Sequence, residues 1–488
     1  MPFDERPLAI LGAGFRRETF VVSADGRHVA MAAAPPPPPG VMYPWDKIED
    51  VLPRMLEPQA GECCWIDGEP GPTFQKIEHI VFSTDGRHVA YIALAANGSF
   101  VVHDGIVQTT YPSIVLDSLA FSADGDHLAY LADAEDGTRA IVFDGQERDR
   151  SASVEQLTLA PRGGRCAYFT SDDGRWHAAV DGTRGPAFDE NGVIAFSLDG
   201  RHVAYSARID GMVYVVADAV FGPPFTGVGM HWFNVDGTRL AYAAQLGDQQ
   251  AVIVNGQAET AFPLVADSTL TFSPDGRRLA YLASDRVAQF MVVDGTPGPR
   301  FDGALQPQFS DDSRRLAYIA TRGSKMCVVI DGAAGPEFDG VGDGTFRFSA
   351  SSERFCYDAE ISGKRHAVRD HEPGPGYDAI GKGTPVLSAD GGRMAYTASR
   401  EGRWFVVVDG REEAERWDGI VAGSLKFSPD GHQVVYAAGV GADQYLFVDD
   451  QRFGPYAGLV GAIVFDADQS LHALVLRDHY IVHARFAR

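Results

Sequence analysis

Leu270-Thr271-Phe272-Ser273-Pro274-Asp275-Gly276-Arg277-Arg278-Leu279-Ala280-Tyr281-Leu282-Ala283 reads as two short strands around a tight turn. Pro274 fixes φ at the second turn position and Gly276 supplies the left-handed one, which suits a hairpin loop. The apolar stretch Phe290-Met291-Val292-Val293 follows as a third strand and ends at Asp294-Gly295, a second hairpin signal. Gly298-Pro299-Arg300-Phe301-Asp302 then gives a fourth strand that leads into another copy of the same pattern.

The pattern recurs along nearly the whole chain of 488 residues. An aromatic ladder runs through Tyr91, Tyr130, Tyr168, Tyr205, Tyr242, Tyr281, Tyr318, Tyr357, Tyr396 and Tyr436, at spacings of 37 to 40 residues. Met31 and Leu474 extend it at either end, which makes twelve units. A second ladder, from Asp67 and Asp104 through Asn255 to Asp409 and Asp449, stays in phase with the first. Four strands and their turns use up this period and leave no room for a helix. Helical solenoids and leucine-rich repeats are thereby excluded, and a β-propeller blade fits. A lone blade cannot bury its two apolar faces, so each must pack between neighbours.

The segments Phe272-Ser273-Pro274-Asp275-Gly276-Arg277-Arg278-Leu279-Ala280-Tyr281 and Phe427-Ser428-Pro429-Asp430-Gly431 resemble the WD-repeat-like blades of TolB-type β-propellers. They are also similar to blades in the propeller halves of prolyl-oligopeptidase-type peptidases. The resemblance runs from about residue 18 to the end and implies a propeller fold. It implies little about activity, since such blades serve many roles. TolB-type proteins are exported and carry an extra domain, and this sequence shows neither a signal nor a domain outside the blades.

Twelve blades exceed the four to eight of a usual propeller. The reading therefore expects an all-β chain of two tandem six-bladed rings, residues 18–265 and 266–488, with one twelve-bladed ring as the alternative. The final unit has three strands, and Pro7-Leu8-Ala9-Ile10-Leu11 is an apolar run before the first unit. Residues 1–17 are thus expected to supply the outer strand of the last blade and to cover its edge.

Residues 32–60 interrupt the first unit. Pro35 to Pro39 form a stiff extended stretch, and Tyr43, Trp45 and Leu52 mark one apolar side of a short helix. The segment is read as a plug on the propeller face or as a docking element, and these three residues are its candidate partner contacts.

A formal net charge of −24 repels phosphate backbones and anionic bilayers, so no nucleic-acid or membrane partner is expected. Five scattered cysteines without a CxxC pair suit a reducing compartment. With no secretory signal and no long apolar run, the sequence reads as a soluble cytoplasmic protein.

No Gly-x-Ser-x-Gly nucleophile elbow occurs. The acidic run Asp133-Ala134-Glu135-Asp136-Gly137 misses calcium-loop spacing and reads as a solvated turn. His28, His88, His127 and His202 each stand at the start of a second strand, in different units, and so read as strand-edge residues covering the turn. His479 and His483 lie four apart on a strand and are poorly placed to share a ligand. No catalytic residue, cofactor or metal is expected. The function read from the sequence is a non-catalytic scaffold binding an unidentified protein partner or a ligand, with a propeller lyase or hydrolase as the alternative.

Overall fold

The computed structural model describes residues 3–11, 15–35 and 61–486. Most of the insert, with Tyr43, Trp45 and Leu52, lies outside the described residues. The chain forms twelve antiparallel sheets in sequence order, each of four strands or of five where the first strand is split. It is a twelve-bladed β-propeller. The decisive stretch folds as read, with strands at Leu264–Phe272, Leu279–Ser284, Gln289–Val293 and Thr296–Pro297. The fourth strand is shorter than expected and is continued by a single bridge between Gln289 and Phe301.

Two compact units divide the chain, one of Met1–Gly200 with Tyr456–Arg488 and one of Arg201–Pro455. In the first, the strand Phe3–Ile10 pairs antiparallel with Tyr480–Phe486, as expected from the incomplete last blade. The last blade packs on the first. Arg27 pairs with Asp466, and His472 Nε2 donates to the Asp25 carbonyl at 3.0 Å. In the second unit, blades six and seven share one core that includes Ala241, Val252, Phe262, Leu279, Tyr281 and Phe290.

These two neighbourhoods overturn the expected pair of six-bladed rings. Separate rings would set blade one against blade six and blade seven against blade twelve. The propeller is instead the twelve-bladed alternative, because the junction near residue 265 buries the same apolar faces as other junctions do.

Each blade carries the same core. The second strand is almost wholly buried, as in Leu279–Ala283, and its small and large residues alternate to fit blades on either side. First strands of adjacent blades lie against each other, as Leu264–Phe272 does against Gly303–Phe309. They form the converging edge of the blades, while the fourth strands form the outer edge.

Candidate binding site

The residues singled out by their repetition hold blades together. Asp294 sits at the hairpin between the third and fourth strands with φ of +50°, a left-handed conformation that Asp tolerates. Its carboxylate accepts the Leu279 N–H at 2.9 Å and the Arg278 guanidinium at 3.2 Å. Arg278 in turn lies over the Phe309 ring of the next blade at 5.3 Å. Histidine serves in the same place in other blades. His28 Nδ1 donates to Asp67 at 2.6 Å, and His127 Nδ1 donates to Asp144 at 2.8 Å. His88 and His202 make the same pair with Asp104 and Asp218. The four sequence-predicted histidines therefore clasp the start of the second strand to the hairpin between the third and fourth within their own blade, as the aspartates of the second ladder do. The rings of His28, His88 and His202 also lie against Phe82, Phe121 and Phe233 of the next blade.

Other candidates resolve locally. Asp133 accepts from Ser113 Oγ at 2.6 Å and from Arg139 at 3.1 Å, and Asp136 caps Thr138 within the turn. His483 does not meet His479. Its ring lies 5.2 Å from His472, on the neighbouring strand, and the His479 carbonyl accepts the Leu11 N–H. All five cysteines are buried free thiols, and burial pushes Cys64 and Cys356 up to about 12.

A departure from the repeat marks the sixth blade. Where the third and seventh blades have Leu119 and Leu270 ahead of the turn, the sixth has His231, within Gly227-Val228-Gly229-Met230-His231-Trp232. His231 is buried, its ring packs edge-on to Tyr242 at 5.8 Å, and neither ring nitrogen has a hydrogen-bond partner. Desolvation lowers its pKa to about 4, so it is neutral at physiological pH.

Around this segment lies a cavity of about 280 Å³ lined by Gly227, Gly229, Gln245, Gln250, Val265 and Asp267. Gln250 Oε1 accepts the Val265 N–H at 2.8 Å and its amide donates to Gln245 at 3.2 Å, which fixes both side chains. Gly229 lets Asp267 approach closely, since a Cβ there would come within 2.4 Å of Asp267 Oδ2 and would turn that side chain away. Beside the cavity, the first strands of blades six to eight and the residues leading into them carry Met230, Trp232, Leu264 and Leu305, each between 36% and 52% exposed. One carboxylate and two amides thus line the cavity, and exposed apolar side chains stand on or just before the first strands of the same three consecutive blades. Sequence reading passed over them, although the loss of the repeat pattern at Gly227–Trp232 was the available signal.

A second, acidic groove lies at the outer edge of blades ten and eleven, with a volume of about 540 Å³. Asp409, Glu412, Glu413, Asp449 and Asp450 line it together with Arg393. Burial raises the pKa of Glu413, opposed by the Tyr436 hydroxyl, which donates to it at 2.6 Å.

No protein-family model matches the chain, and no curated protein matches it. Solved structures do. A eukaryotic initiation factor is 13% identical, over 68% of this chain and 90% of its own, with a TM-score of 0.36. The β-propeller domain of the Trilobed protease from Pyrococcus furiosus is 13% identical, over 54% and 97%, with a TM-score of 0.26. TolB from Acinetobacter baumannii is 14% identical, over 60% and 79%, with a TM-score of 0.24.

Proposed function

We propose that this β-propeller is a non-catalytic scaffold that binds a protein partner at the converging edge of blades six to eight. The observation that carries the reading is that Met230, Trp232, Leu264 and Leu305 are each exposed on or just before the first strands of these consecutive blades, with Met230 and Leu264 next in sequence to residues that line the Asp267 cavity. Aromatic, Met and aliphatic side chains of this kind form the desolvated centre of interfaces. The charge of −24 selects a partner with basic groups at the rim and speeds its approach. The insert with Tyr43, Trp45 and Leu52 remains a proposed second contact on the strength of its sequence.

The enzyme alternative rests on Glu413, a carboxylate with a raised pKa in a groove. The same tyrosine contact recurs between Tyr281 and Glu259, where it serves packing, and Glu413 is assigned to packing too.

The test compares proteins retained from the native lysate by the wild type and by a Trp232→Ala, Leu264→Asp double variant. A partner retained by the first and lost by the second, with equal melting temperatures, supports the reading. Identical retention by both would sink it.

A further inference from the structure

We infer that blade two carries a binding site for a divalent transition metal, formed by His88, His103 and Asp104. One donor atom from each residue lies within 4.8 Å of the other two. His88 Nδ1 is 2.6 Å from Asp104 Oδ2, and His103 Nε2 is 3.5 Å from the same oxygen. The ring nitrogen His103 Nε2 is buried and has no hydrogen-bond partner. Zinc bonded to nitrogen at about 2.0–2.1 Å separates its ligand atoms by roughly 3.3 Å in a tetrahedron. Movements of at most about 1.5 Å therefore convert these contacts into ligand distances.

The strand geometry explains the convergence. His103 lies directly opposite Ala90, and His88 stands two residues before Ala90. Side chains two apart share a sheet face, so both rings project to one side. Asp104 has φ of +49° at the hairpin, where its Oδ1 accepts the Val89 N–H at 2.9 Å and orients the carboxylate. Phe121 of the next blade backs both rings, at 6.4 Å from His88 and 5.5 Å from His103. Oriented carboxylate and apolar backing are the outer features that metal sites use.

The repeat supplies an internal control. The His–Asp clasp recurs at His28–Asp67 and His127–Asp144, and there it is structural. In those blades the residue before the aspartate is Ile66 or Phe143, and in blade two alone it is histidine. His103 is not needed for the clasp, and it brings a third ligand to it. Two imidazoles and one carboxylate favour zinc or a neighbouring first-row ion over calcium or magnesium, which take oxygen ligands. The three side chains are each 27–39% exposed, which leaves room for water as a fourth ligand.

The experiment is zinc titration of the full chain by calorimetry, with His103→Val and His88→Arg as variants. Valine is the residue before the aspartate at Val293, and arginine makes the same clasp at Arg278–Asp294, so both changes keep a geometry that the fold already uses. His127→Arg is the control for loss of any surface histidine. The wild type and His127→Arg are expected to bind one zinc more than either blade-two variant, and to gain melting temperature with zinc where those variants do not. Equal zinc uptake by wild type and His103→Val would overturn the site. So would an equal loss in His127→Arg. If His103→Val melts early without zinc, His88→Arg decides alone by the same comparison.

Discussion

The Tyr281 hydroxyl donates to Glu259 Oε2 at 2.9 Å, and the bond crosses from the seventh blade to the fourth strand of the sixth. Tyr130 reaches Gln108 in the same way at 2.9 Å, and Tyr168 reaches Asp149 at 3.1 Å. Where the preceding blade has Gly-Pro in its fourth strand, the partner is different. A Cβ on Gly71 would stand 3.3 Å from the Tyr91 hydroxyl, and one on Gly222 would stand 3.7 Å from that of Tyr242. Glycine there lets the strand pass over the ring of the next blade. The aromatic ladder thus meets an acid or amide at some blades and a bare backbone at others, while the Tyr357 hydroxyl meets His371 Nδ1 at 3.1 Å.

The two arrangements predict opposite responses to loss of the hydroxyl. Tyr281→Phe leaves Glu259 without its donor and is expected to cost about 1–2 kcal/mol. The Tyr318 hydroxyl is buried without a partner, so Tyr318→Phe is expected to be neutral or stabilising. Urea midpoints of the two variants measure the difference. Equal shifts would mean that the ladder acts through ring packing alone.

Glu413 predicts a pH dependence. Its folded pKa lies above the usual glutamate value of 4.5, so the folded state holds the proton more tightly than the unfolded state does. The stabilisation it gives is complete below that value and is lost as pH rises through the folded pKa. Glu413→Gln keeps an acceptor for Tyr436, as Gln108 does for Tyr130. The variant should therefore gain on the wild type as pH rises from about 4.5 toward neutrality. A constant difference across that range would show that Glu413 ionises normally.

His231 predicts the reverse. Its pKa falls from 6.5 to about 4 on folding, so stability is complete above 6.5 and declines as pH falls toward 4. The loss approaches roughly 3 kcal/mol at the acid end, from about 1.4 kcal/mol per pH unit. His231→Leu restores the residue that the repeat has at Leu119 and Leu270, and it should flatten that part of the melting-temperature profile. If the acid decline persists unchanged in the variant, the buried neutral imidazole is not its source.

The blades were legible in the sequence because every copy repeats the same contacts. Asp294 and Tyr281 show their spacing whether or not their partners are known. Ring number was not legible, since Phe262 to Ser273 looks like any other junction and only the packing of blade twelve on blade one and of blade six on blade seven distinguishes one ring from two. The binding edge was hidden for a different reason. Exposure of Trp232 or Leu264 depends on which neighbour fails to cover it, and a repeat argument averages that away. His103 was missed similarly. The repeating histidines drew the question of convergence, whereas the informative residue was the one that broke the repeat.

The N-terminal strand gives the sharpest test of closure. Phe3–Ile10 runs the length of Tyr480–Phe486, and Leu8 and Ala9 join a core with Val29, Met31, Leu474 and Ile481. Glu5 accepts the Tyr456 hydroxyl at 2.8 Å and pairs with Arg477. Deleting residues 1–10 removes this strand, exposes the edge of the last blade and uncovers its contact with the first. The truncated chain should melt well below the wild type and associate through the open edge, seen as concentration-dependent light scattering. Glu5→Ala, which keeps the strand and loses its two polar anchors, should cost about 1–3 kcal/mol. A synthetic peptide of residues 3–11 should restore the truncated protein by adding back the missing strand. An unchanged melting temperature after truncation would show that the blade closes without its N-terminal strand.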